Sequence, residues 1–250
     1  MSQTSSESAG EPLALHKDRL NAQSLDLKDP YGMESAHSEA AVADNERPSV
    51  NGSLGLFAIH NVVRRNLRAC ALNVGSVDDT NIEAFLVYAK YTLVVLKDQL
   101  CSCDDIWFPT LAQYDADFAK QIEAHKPVVA KIAEAMDVLV SASSGPPDSF
   151  PAADISTAFE QILSLVEPLY DEEERLSNQL GRSIPLGKIK EMEKRQEVHR
   201  RKVAKEQGQL WSTVYVLRGL SVREREIFPP GVPKLVLGGM LTAGALQYRK

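Results

Sequence analysis

Residues 81–109 read NIEAFLVYAKYTLVVLKDQLCSCDDIWFP, and the fold turns on what this stretch is. Ile82, Leu86, Ala89, Leu93, Leu96, Leu100, Cys103 and Trp107 recur at spacings of three and four, the period of one face of an α-helix. The middle, YTLVVL, is apolar on several sides, which places this helix at the centre of a core. Its end is unusual: two cysteines and two aspartates fall within five positions, directly before an aromatic pair and Pro109.

The same period recurs on both sides. Leu56, His60, Val63, Leu67, Cys70 and Val74 define a preceding helix that Asn51 or Ser53 could cap. Phe118, Ile122, His125, Val129, Ile132, Met136 and Leu139 define a third, with Pro127 expected to kink or interrupt it. After the breaker segment SSGPPDSFPA, a fourth helix from about Asp154 carries Ile162, Val166, Leu169, Glu173, Leu176 and Leu180, with Pro168 expected to interrupt its backbone. A fifth helical stretch, residues 187–220, begins strongly charged and ends apolar, so its front half is expected to be solvated and its back half packed. The expected fold is all-α: an antiparallel up-down-up-down four-helix bundle over residues 53–182, with an additional helix and tail over 183–250 packed on it.

Residues 1–50 hold nine acids against four bases and show no sustained periodicity, the pattern of a disordered polar leader. The net charge of -6 and the near-neutral remainder argue against a nucleic-acid partner. Cys70, Cys101 and Cys103 are too few and too irregular for a disulfide framework, and the N-terminus lacks a secretory pattern, so an intracellular (cytoplasmic) protein with reduced thiols is expected. The apolar run LVLGGMLTAGAL, residues 235–246, is shorter than the roughly 20 residues of a spanning helix. No Gly-rich phosphate loop, GxSxG elbow or CxxC pair is present.

Each apolar stripe of the bundle is interrupted by one residue able to bind a metal or move a proton: His60, Cys103, His125 and Glu173. In an up-down-up-down bundle these four positions fall at the same end, which predicts one polar cluster inside the core. Histidine and cysteine are also ordinary core residues, and Glu173 could lean outward with its neighbours in DEEER. If Glu173 is buried, it must be paired, protonated or metal-bound. His199 is expected at the surface, and His16 and His37 in the leader carry no role.

The segments AIHNVVRRNL, DDIWFPTL, QIEAHKPVV, LVEPLYDEEERL and REIFPPGVPKLV resemble the hemerythrin-like (HHE cation-binding) family, in particular its fungal-type branch, over residues 53–235. That resemblance implies a bundle holding two irons between histidines and bridging carboxylates. His60, His125 and Glu173 match ligand places of that pattern. Gln99 and Cys103 stand where the second helix has a His and a Glu, Val129 where the third has its second His, and Pro168 where the fourth has its His. Cys101 and Asp105 share the i, i+4 spacing of Gln99 and Cys103 and are alternates for the site, although periodicity favours the latter pair. The resemblance with these replacements implies a decayed di-iron site that does not carry dioxygen and takes at most one metal ion.

Three functions remain open at this level. The first is one iron or zinc ion bound by His60, His125, Glu173 and either Cys103 or Asp105. The second needs no metal: Glu173 and His125 act as base and acid on a small molecule, in an isomerisation, dehydration or cyclisation of the kind found in fungal secondary metabolism, inside a pocket lined by Gln99, Val129 and Pro168. The third is a non-catalytic helical scaffold or regulator.

Overall fold

The computed structural model describes residues 56–146, 149–180, 183–207 and 211–220. The polar leader and the tail beyond residue 220 lie outside them. Secondary structure among the described residues is helical throughout: α1 (Leu56–Asn73), α2 (Ile82–Ser102), a π-helical turn (Cys103–Trp107), α3 (Phe108–Leu111), α4 (Asp117–Ser144), α5 (Ala152–Leu180), α6 (Leu186–Gln207) and α7 (Trp211–Gly219). None of these helices is long and apolar enough to cross a membrane.

The long helices close a cycle of contacts in which α1 packs on α2 and α5, and α4 packs on the same two. Cross-helix bonds fix the direction of α1. Ser156 donates to the Ala71 carbonyl (3.1 Å), Arg64 to Asp171 (2.6 Å), and His60 meets Glu174 (2.7 Å), so α5 descends as α1 rises. Tyr88 bonds Asn66 and Gln99 reaches His60, which makes α2 antiparallel to α1 as well. The connection between α1 and α2 is set locally by Asp78, whose carboxylate accepts from the Thr80 amide (2.9 Å) and hydroxyl (2.6 Å).

The apolar stripes fill this assembly. Val63, Leu67, Leu93, Leu96, Ile132, Phe159, Ile162 and Val166 belong to one continuous cluster of buried side chains. A smaller cluster joins Cys103, Trp107, Phe108, Phe118, Leu176 and Leu180 to Ile189 and Met192 of α6. Burial of such stripes supplies roughly 25 cal/mol per Å² of apolar surface, which for these helices outweighs local preference.

Two expectations about proline need correction. Pro127 and Pro168 interrupt neither α4 nor α5. Each removes a donor from the carbonyl four residues earlier, here Glu123 and Ser164. Both of those residues are exposed, where water can serve the carbonyl.

The second helix departs from expectation in another way. It runs on to Leu111 only by passing through the π turn at Cys103–Trp107, which adds a residue to the local turn and rotates everything beyond it.

The described residues of the fifth helical stretch form α6 and α7. The charged α6 is not merely solvated: Gln196 accepts from Trp107 Nε1 (3.0 Å) and from the Ser102 hydroxyl, Arg195 donates to the Asp105 carbonyl (2.6 Å), and His199, half-buried, pairs with Asp98 (2.7 Å). α7 lies against α1 so closely at Gly219 that a Cβ there would sit 2.5 Å from Val62, and the Gly219 carbonyl accepts from Arg65 (3.0 Å).

Candidate functional site

The site is built where α1, α2, α4 and α5 meet. His60, His125 and Glu173 are each wholly buried, and Gln99, Cys103 and Glu174 nearly so. Glu173 lies between the two imidazoles: His125 Nε2 donates to its Oε1 (2.6 Å), and His60 Nε2 lies 3.3 Å from Oε2, near enough for ionic attraction though outside hydrogen-bond geometry.

Each ring is braced from behind by a further carboxylate. His60 Nδ1 donates to Glu174 (2.7 Å), and His125 Nδ1 donates to Asp104 (2.6 Å). Glu174 also accepts from the buried Arg64 (3.1 Å), which in turn reaches the exposed Asp171 (2.6 Å). The result is a chain of alternating charge through the core: Asp104, His125, Glu173, His60, Glu174, Arg64, Asp171.

Aromatic and amide groups fix the rings in place. Tyr170 stacks on His60 with centroids 3.6 Å apart and planes 4° from parallel, and Arg64 lies over the Tyr170 ring at 5.3 Å. The Tyr170 hydroxyl donates to Gln99 Oε1 (2.7 Å), which turns the Gln99 amide nitrogen toward His60 Nε2 (3.3 Å) and Cys103 Sγ (3.7 Å). That nitrogen serves the thiol when His60 carries both protons, and the ring when Nε2 is bare.

The electrostatics assign the protons. Burial alone would lower His125, but Asp104 and Glu173 outweigh it and hold the ring up at about 9. Burial likewise opposes the charge on His60, and Glu173 and Glu174 together raise it. For Glu173, burial pushes upward, yet the two imidazoles keep the carboxyl below its ordinary value. Near neutral pH the arrangement is therefore an ionised carboxylate beside an imidazolium at His125, with His60 shifted toward its protonated form. Cys103 is pushed well above the usual thiol range by burial and then by Glu173 and Asp104, so it is a neutral thiol rather than a metal-ready thiolate.

Several residues lie apart from their expected place. Pro168 is exposed; five residues before Glu173, it is about 140° away around a helix of 3.6 residues per turn. Val129 is half-buried against the main apolar cluster. Asp105 is exposed and Cys101 half-buried, so neither alternate replaces Cys103.

Four contributors were not anticipated from the sequence. Asp104 reaches His125 because the π turn places residue 104, rather than 103 alone, on the inward side. Glu174 comes from the run DEEER that reads as solvated, Tyr170 directly precedes that run, and Arg64 sits one turn beyond His60. The i, i+4 pairing of Arg64 with His60, opposite Glu174 and Tyr170 at the same spacing, was the available signal.

These donors do not fit a di-iron centre. A neutral thiol, an amide, a valine and an exposed proline stand at the places that the hemerythrin-like resemblance would assign to ligands. Among the described residues no group of three or more His, Cys, Asp or Glu is arranged to hold a metal ion.

No family model and no solved structure matches the chain. It is 47% identical over 247 residues to xanthocillin biosynthesis cluster protein F of Aspergillus fumigatus, an alignment spanning 97% of this chain and 100% of that protein. The chain belongs to the family of that fungal cluster protein.

Proposed function

We propose that the chain is a metal-independent acid–base enzyme of fungal secondary metabolism, acting on a small molecule by proton transfer in an isomerisation, dehydration or cyclisation. The observation that carries this reading is the buried imidazole–carboxylate–imidazole unit, braced on both outer sides by carboxylates. Holding one carboxylate and two imidazoles in a dry core is costly unless all are paired, and clusters of this kind concentrate at functional sites. The relative's place in a biosynthetic cluster supports the metabolic setting.

In this reading the rings hold the mobile protons. An imidazolium, His60 or His125, protonates an oxygen that gains charge or departs, and Glu173 receives a proton from the substrate through Oε2. The proton on Glu173 then returns to the ring that gave one, so the unit ends as it began. Asp104 and Glu174 fix each ring's orientation. The bundle reading, antiparallel and hemerythrin-like, is supported by the closed packing cycle of α1, α2, α4 and α5.

Replacing the Aspergillus fumigatus relative with this chain tests the proposal. The wild-type chain is expected to sustain xanthocillin output, and Glu173→Gln to lower it at least tenfold while the protein remains folded. Equal output from both chains sinks the reading and favours a scaffold.

A second reading, one iron or zinc ion on His60, His125 and Glu173, has one observation in its favour. Both rings turn Nε2 toward the same carboxylate while Nδ1 is held by another, the way ligating histidines are commonly oriented. Metal counting on protein purified without a histidine tag decides it: one equivalent supports the ion, and a small fraction removes it.

A further inference from the structure

Two buried polar side-chain atoms among the described residues have no hydrogen-bond partner, Glu173 Oε2 and Ser177 Oγ. They belong to residues one helical turn apart on α5, which share a face with Cβ atoms about 5–6 Å apart. Neither is near the surface, at 0% and 1% exposure. A helical serine usually turns its hydroxyl onto a carbonyl in the preceding turn. Ser143, Ser144 and Ser164 do so here; Ser177 does not.

The surroundings define what these two atoms can receive. Leu176 and Leu180, beside Ser177, pack in one cluster with Cys103, Trp107, Phe108 and Phe118, and the Phe108 ring lies 5.5 Å from that of His125. An apolar, largely aromatic cluster thus includes the α5 neighbours of Ser177 and reaches the ring paired with Glu173. Glu173 as a carboxylate can only accept, whereas Ser177 can give or accept. An anion would be repelled by Glu173, and a cation by the protonated His125 ring. A hydroxyl complements both atoms, donating to Glu173 Oε2 and accepting from Ser177 Oγ.

We propose that Glu173 and Ser177 form a binding subsite for the hydroxyl of a neutral, apolar-bodied molecule. This names the substrate class for the acid–base unit and rests on that reading of Glu173. Ser177 is a positioning and specificity residue: it orients the hydroxyl so that the proton faces Glu173.

The full chain is titrated with phenol and with benzene, which share a ring and differ by the hydroxyl, and binding is followed by NMR. Phenol is expected to bind at one equivalent and at least tenfold more tightly than benzene. Ser177→Ala should lower that preference at least threefold, and Ser177→Thr, which keeps the hydroxyl, should restore most of it. Ser177→Ala removes an unpartnered group, so loss of fold is not expected, and the alanine variant's melting curve checks this. No binding of phenol, equal binding of the two probes, or a preference that survives Ser177→Ala overturns the subsite. If that happens while Glu173→Gln still abolishes product in the exchanged strain, the subsite falls and the acid–base reading stands. A serine-dependent phenol preference alongside full product from Glu173→Gln leaves the subsite standing and removes the catalytic reading.

Discussion

The two ends of the α1–α5 contact are made of opposite materials. At one end Val63, Leu67 and Cys70 meet Ile155, Phe159, Ile162 and Val166 in an apolar seam. At the other, His60 and Arg64 meet Tyr170, Glu173 and Glu174 in a buried network of charge and hydrogen bonds. The same two helices, antiparallel and with the same period, carry both. The difference teaches where stability resides. An apolar seam gains from every group it buries, while a buried ionic network recovers its desolvation cost only when each partner is in place, and a hydrophobic replacement is often as stable. The apolar end holds the fold, and the polar end is the part that the proposed acid–base reading uses.

The largest expected effect breaks the comparison at its apolar end. Phe159→Ala should cost about 3–5 kcal/mol by denaturant unfolding, from lost burial and the cavity left behind. Leu96→Ala, in the same cluster on α2, should cost about 2–5 kcal/mol. A cost below 1 kcal/mol for either would mean that this seam does not carry the fold.

At the polar end the effect should depend on where along the chain of charges it is cut. Glu174→Gln removes the charge that both Arg64 and His60 face, and should cost about 1–3 kcal/mol, the range for leaving buried groups poorly satisfied. Asp171→Asn, at the exposed end with 76% side-chain exposure, should change stability by about 0–1 kcal/mol. Equal costs for the two would show that burial does not grade the network.

The pH dependence sharpens the contrast further. His125 is raised from 6.5 to about 9 on folding, so between those values the native state binds more protons than the unfolded state. Its stabilising contribution is complete below pH 6.5 and is lost as pH rises toward 9. Denaturation midpoints should therefore fall across that window in metal-free protein, and Asp104→Asn should flatten the fall. An unchanged slope in that variant would contradict the role given to Asp104. The smallest effect is expected from Ser177→Ala, which removes an unpaired buried hydroxyl and should raise ligand-free stability by up to about 1 kcal/mol.

How much of this was legible in the sequence also divides between the two ends. The apolar seam follows a period of three and four, and that alone located α1, α2, α4 and α5. The centre of the polar cluster was legible for the same reason, because His60, His125 and Glu173 interrupt otherwise apolar stripes. Their supports were not. Asp104 depends on a π turn that no period in residues 99–107 announces, and Glu174 lies in an acidic run whose other members, Asp171 and Glu172, do face outward or lie half-buried. Pro168 misled because a ligand place carried over by resemblance ignores which side of the helix the replacement occupies. The prolines misled again as helix breakers, since the carbonyls they free are solvated.

The central claim is that the buried carboxylate is paired with a protonated His125 ring, the pair on which the proposed acid–base function rests. The most direct measurement is 15N NMR of the histidine rings in full-length, tag-free protein at pH 7.5. His125 is predicted to show both ring nitrogens protonated, with one-step titration near pH 9. A neutral His125 ring at that pH, or nitrogen shifts that mark coordination to a metal removable by chelator, would contradict the account.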